Sequence, residues 1–417
     1  MEDNCAKKNV VENIIFLSII QFANYLAPLM VLPFLSRTLG VEGFGLIMVA
    51  FSACTLCFLL TDFGFNLSAP YWIARNSNYR NRVSRTIGAI FLIKFIILLI
   101  IGLILFLYVL FLTSNTMHMR LMYTIIYCIA IAQAFQPVWF FQGVEKMKNV
   151  TIFMVTAKLS YLILIFLFVR NKEDDLLVLL CFFISNFIAT IIGVGLIWGA
   201  GYKIMIPTKK IIADTFKASS SFFLSRLAVG VYTNASTLIV GAASGVVQAG
   251  LYSSAEKLYQ AGQNLTSPIS QALYPYVART GNKNILFKTI LLLLIPMILG
   301  CSICFIYAAE IIKLIYGASF VNAQHVLRIF LIISIITFVS INLGYPAFAA
   351  MGRVNLANYT VMLGGIVQVL LLAILYTINS INAVNVALSV LTTEIIVLAV
   401  RILLLIKPNI NTHEEYR

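Results

Sequence analysis

Residues 86–112 read TIGAIFLIKFIILLIIGLILFLYVLFL, and Lys94 is the one charged side chain among them. A bilayer span needs roughly 20 mostly apolar residues in a helix, because lipid offers backbone groups no hydrogen-bond partner. This stretch meets that need and has no polar face to turn to water. Working outward from it, eleven further segments of the same kind fall near 11–36, 43–67, 120–141, 150–169, 176–199, 215–240, 247–275, 285–308, 324–350, 355–378 and 381–406. The connections are short, and the longest polar stretches are 70–85 and 201–214. The expected fold is an all-α integral membrane protein of about twelve transmembrane helices.

The composition agrees. Hydrophobic residues make up 61% of the 417, charged residues only 11%, and soluble proteins carry about 25% charged. A packed core cannot hide so much apolar surface, so most of it faces lipid. That sets aside soluble enzymes and nucleic-acid binders, despite a net charge of +14. The start, MEDNCAKKNV, leads into a long apolar stretch without a small-residue cleavage site, which predicts a retained first helix. Cys54/Cys57 and Cys301/Cys304 have C-x-x-C spacing but lie in apolar runs without His or carboxylate neighbours. They read as small apolar side chains in helices, not as a metal or redox site.

Lys and Arg in short loops orient membrane proteins, with the excess on the cytoplasmic side. One side receives 19, among them Lys7, Arg75, Lys146, Lys203, Arg353 and Arg401. The other receives six: Arg37, Arg120, Arg170, Lys172, Lys313 and Arg328. Both termini are therefore expected in the cytoplasm, in keeping with an even span count. Four cations fall within spans: Lys94, Lys158, Arg226 and Lys257. Lys94 is read as close enough to the inner surface to snorkel.

The two halves of the chain look alike. Gly40-Val41, Gly45-Leu46 and Ala50 recur 205 residues later as Gly245-Val246, Gly250-Leu251 and Ala255, and Pro70-Tyr71 as Pro275-Tyr276. Pro137, Gly143, Asn149 and Thr151 match Pro346, Gly352, Asn358 and Thr360 at an offset of 209. Six spans per half insert both halves in the same direction, so the repeat is parallel. The expected organisation is an N-terminal lobe, 1–205, and a C-terminal lobe, 206–417, each of six helices, about a central cleft.

Ionisable groups inside a span cost roughly 2.5–3.5 kcal/mol at mid-bilayer on insertion scales, and persist by pairing or by facing water. Arg226, Lys257 and Lys158 are the mid-span cations; Asp62, Glu256 and Glu394 are the acids. Polar residues surround them at helical spacing: Gln21, Asn24, Tyr25 and Pro28 in the first helix, and Ser52, Thr55, Asp62 and Asn66 in the second. Arg226, Thr233 and Thr237 share a face in the seventh, and the eighth shows Tyr252, Glu256, Tyr259 and Gln263. Helices one, two, seven and eight are thus expected to line a polar, net positive cavity suited to an anionic substrate, because Arg binds phosphate bidentately and stays charged. Tyr25, Tyr232, Tyr252 and Tyr259 would offer flat faces and hydroxyls to sugar rings. Helix–helix hydrogen bonding is the competing role for each of these polar groups.

Several motifs are similar to those of a known family. PFLSRTLGVEGFG at Pro33–Gly45, DFGF at Asp62–Phe65, PVWFFQGVEKMK at Pro137–Lys148 and LYSSAEKL at Leu251–Leu258 resemble the Wzx-type O-antigen flippases. These belong to the polysaccharide transporter family of the multidrug/oligosaccharidyl-lipid/polysaccharide exporter superfamily. The resemblance implies a substrate of oligosaccharide repeat units on undecaprenyl pyrophosphate, flipped from the cytoplasmic to the periplasmic leaflet of the bacterial inner membrane by alternating access. It further implies coupling to a proton or sodium gradient and pathway partners in the polymerase and chain-length proteins; no cofactor is expected, and the mid-span acids Asp62, Glu256 and Glu394 are the candidates for coupling, with no cation-binding motif of the family mapping onto them. A multidrug extruder of the same fold should carry a net negative cavity, which the mid-span cations oppose. An O-antigen polymerase should carry a large outward loop, and no loop here is long enough.

Overall fold

The computed structural model describes residues 2–77, 79–111, 116–281 and 283–406. Every regular element among them is helical. Packing divides the chain into two compact units, Met1–Leu238 and Ile239–Arg417.

The first unit holds α1 (Glu2–Asp62), α2 (Phe65–Asn76), α3 (Arg80–Phe111), α4 (Met117–Ala134), α5 (Val138–Gly143), α6 (Met147–Phe168), α7 (Asp175–Gly199) and most of α8 (Lys209–Ser244). The expected span 11–36 and most of 43–67 lie in α1, joined at Gly40, whose backbone (φ 69°, ψ −175°) is not helical. Such a conformation strains any residue with a Cβ. The second expected span is interrupted as well. Phe63 (φ 45°) and Gly64 (φ 79°) turn the chain between α1 and α2, and the Asn66 amide donates to Asp62 Oδ1 at 3.2 Å across the break. The core lies around α5, where Trp139, Phe140 and Phe141 are fully buried with Phe65 and Phe153.

The start of α8 closes over the break. Phe63 stacks between Phe216 (4.8 Å) and Phe223 (4.7 Å). A Cβ on Gly64 would meet the Ser219 carbonyl oxygen at 2.8 Å. Upstream, the Lys203 amide donates to Ser84 Oγ at 3.2 Å and the Met205 amide to the Ser84 carbonyl at 3.3 Å.

The second unit holds the end of α8, then α9 (Val246–Thr280), α10 (Lys283–Ile306), α11 (Ala308–Tyr316), a 3-10 turn (Ala318–Ala323), α12 (Gln324–Leu343), α13 (Tyr345–Ala349), α14 (Val354–Thr377) and α15 (Ala383–Ile406). Helix α12 is central, packing on α9, α10 and α15. Its Phe338 and Leu343 join Val277, Leu286 and Ile290 in the core. In both units the outer helices present apolar side chains outward, such as Leu103, Ile104 and Phe106 of α3 and Leu291, Leu292 and Leu299 of α10, as lipid-facing helices do.

Among the described residues, nine helices are long and apolar enough to cross a membrane. Two expected spans are each a long helix followed by a short one: 120–141 becomes α4 and α5, and 324–350 becomes α12 and α13. The reason is local. Pro137 precedes α5 and Gly344 precedes α13, so the backbone breaks while the hydropathy runs on.

Candidate functional site

Each unit buries its own cluster of charged and polar groups among apolar helices. In the first, Asp62 is buried at the end of α1 and acts electrostatically on Lys94 of α3. Lys94 is 2% exposed. Its ammonium donates to the Ala134 carbonyl at the end of α4, at 2.7 Å, and lies 5.9 Å from the Phe65 ring centroid. This corrects the expectation that Lys94 snorkels. The breaks after α1 and α4 leave a carboxylate and an orphan helix-end carbonyl inside the unit, and a cation answers both.

In the second unit, Gln263 Nε2 donates to the Tyr259 hydroxyl, which also bonds Thr337 Oγ1 at 3.2 Å. The Tyr259 ring stacks on Phe330 at 5.0 Å, and Tyr252, buried, meets the same ring edge-on at 5.5 Å. Glu256 and Glu394 are buried, and both act electrostatically on Tyr259. The cluster draws on α9, α12 and α15. Nearby in sequence, Thr393 Oγ1 donates to Gln368 Oε1 (2.8 Å), and Gln368 Nε2 to Ser389 Oγ (3.1 Å).

Arg401 is a second cation that hydropathy misplaces. It falls near the end of the expected span 381–406 and counts there among the cytoplasmic-side cations, yet it is 6% exposed. Its Nε donates to Thr360 Oγ1 at 3.0 Å, and Nη1 to the Ser340 carbonyl and hydroxyl at 2.6 and 2.9 Å. One guanidinium thereby ties α12, α14 and α15 together. The signal available in the sequence was the hydroxyl residues of those helices, but their partner is tens of residues away.

The other expected residues fall as follows. Lys257 is half-buried and donates to Gln260 Oε1 at 3.0 Å on its own helix. Lys158 and Asn24 are half-buried, and Gln21 is exposed. Ser52 is buried whereas Thr55 is exposed, so that stripe does not face one way. The side chains of Arg226, Tyr25 and Tyr232 lie outside the described residues. No group of three or more His, Cys, Asp or Glu able to hold a metal occurs among the described residues.

Breaks inside spans, with charges gathered at them, are features found in polytopic helical transporters, in which irregular backbone at membrane depth is buried in protein or lines a cavity. Solved structures share the fold. An inward-facing multidrug resistance MATE family transporter superposes with a TM-score of 0.71 at 14% identity, covering 94% of this chain and 97% of that one. The lipid II flippase MurJ in an inward closed conformation gives 0.68 at 12% identity, covering 92% and 86%. In sequence, a protein of Escherichia coli (strain K12) named as an O-antigen transporter is 30% identical over 289 residues, 66% of this chain and 67% of the relative. One from Shigella dysenteriae, named likewise, is 30% identical over 277 residues, 64% and 67%. Residues 10–281 match the family described as Polysaccharide biosynthesis protein. The chain belongs to that family: it is a multi-pass membrane transporter of the Wzx type and not an enzyme.

Proposed function

We propose that this protein is a flippase that moves undecaprenyl-pyrophosphate-linked oligosaccharide repeat units from the cytoplasmic to the periplasmic leaflet of the bacterial inner membrane. The observation that carries the reading is its relationship to the proteins named as O-antigen transporters, which spans two thirds of their length. Two six-helix lobes, 1–205 and 206–417, would rock about a cleft by alternating access. Two features support the repeat. Gly40 (φ 69°, ψ −175°) and Gly245 (φ 87°, ψ 165°) share one unusual backbone conformation at matched positions. The short helices α5 and α13 also close with the same turn, Lys146 amide to Phe141 carbonyl (2.9 Å) and Arg353 amide to Phe348 carbonyl (2.8 Å), at an offset of 207, two residues short of the 209 of the sequence match.

Arg226, Lys257 and Lys158 are the proposed contacts for the pyrophosphate, and Tyr25, Tyr232, Tyr252 and Tyr259 those for sugar rings. A proton or sodium gradient would drive the cycle. Of the three acids, Glu256 and Glu394 are the pair to test first, because both act on Tyr259 and neighbouring carboxylates favour sharing a cation. Both termini are proposed to be cytoplasmic, with the polymerase and chain-length proteins as pathway partners.

Deletion of the gene in its host tests the reading. Loss of surface polysaccharide with single lipid-linked units held inside is expected. Normal polymer with new sensitivity to cationic drugs would instead make the protein an extruder.

A further inference from the structure

A cavity of about 80 Å³ opens in the first unit, between α2, α3 and the first turns of α8. It lies where Arg80, Arg82 and Arg85 precede the apolar run of α3, so it sits at a boundary between lipid and water. Two opposite charges line it. Arg82 lies over the Trp72 ring, 5.4 Å from its centroid, and Asp214 belongs to α8. Both side chains are exposed, and among the described residues no ion pair joins them. Thr86 and Thr215 add hydroxyls to the lining, and Ile90 and Ile211 add apolar surface.

We infer that this cavity binds the head group of a zwitterionic aminophospholipid of the phosphatidylethanolamine kind, its phosphate on Arg82 and its ammonium on Asp214. Charge selects that occupant. An anionic head group would satisfy Arg82 but meet repulsion from Asp214. A choline head group has no N–H to donate to the carboxylate, whereas an ethanolamine ammonium has three. Ser68 and Ser219 bond each other at 2.7 Å in the cavity wall, one turn from Gly64, so an occupant would also brace the contact of α8 with the α1–α2 break.

The test is the thermal unfolding of the purified full-length protein in detergent micelles doped with dioleoyl phosphatidylethanolamine, phosphatidylcholine or phosphatidylglycerol. Phosphatidylethanolamine is expected to raise the midpoint most, with about tenfold tighter apparent binding than phosphatidylcholine. Asp214→Asn should reduce it to the phosphatidylcholine level, Asp214→Glu should keep the preference, and Arg82→Gln should weaken binding of all three lipids. Equal shifts from all three, a larger shift from phosphatidylglycerol, or a preference that survives Asp214→Asn would overturn the proposal. Should a variant unfold, mass spectrometry of lipid retained by the wild-type protein decides between the same outcomes.

Discussion

At the scale of single residues, the buried cations have different partners and should fail differently. Arg401 bonds two other helices through a planar fork, and Lys cannot reproduce that geometry. Arg401→Ala and Arg401→Lys should each lower the unfolding temperature in detergent by a few degrees, equivalent to about 1–2 kcal/mol; a wild-type value for Arg401→Lys would refute the fork. Lys94 faces the Ala134 carbonyl and the field of Asp62. Lys94→Met leaves a buried carboxylate without that cation, whereas Asp62→Asn with Lys94→Met removes both charges. The double variant should be more stable than Lys94→Met alone, a non-additive cycle; simple additivity would show that the two groups do not act on each other. These residues also mark where reading the sequence stops. Position near the end of an apolar run suggested a surface depth for both Lys94 and Arg401. What holds each one is a carbonyl or hydroxyl about 40 to 61 residues away, which no local pattern reports.

At the scale of elements, hydropathy was a good guide to helices and a poor one to their breaks. It measures side chains, while Pro137, Gly344 and the Phe63–Gly64 pair act on the backbone within runs that stay apolar. The exception is Gly40, visible because it recurs at Gly245. A Cβ at either glycine would meet nothing within 4 Å, so substitution there strains the backbone alone. Gly40→Ala and Gly245→Ala should therefore destabilise by similar amounts, about 1–3 kcal/mol each, seen as matched falls in unfolding temperature. Asn, whose tolerance is for the left-handed helical region and not for ψ near 180°, should cost about as much as Ala at both. If only one of the pair responds, the shared conformation has no shared role.

For the whole molecule, the family was legible in four motifs, and the substrate class proposed for it comes from relatives rather than from geometry. The charge bias across loops survives the correction at Arg401, which leaves 18 cations against six. Alkaline phosphatase fused after Lys172 should be active, and green fluorescent protein fused after Thr208 or at the C-terminus should fluoresce. The reverse pattern would invert the proposed orientation. Helix α8 has a further consequence. By the repeat it opens the second half, yet its early turns are built into the first unit, over Phe63, Gly64 and Ser68. During synthesis the ribosome must therefore run past α7 and well into α8 before the first unit can close. Until then the nascent chain shows the translocon and its proteases an unsealed notch in its second span, and a message truncated at the midpoint would yield a product marked for destruction.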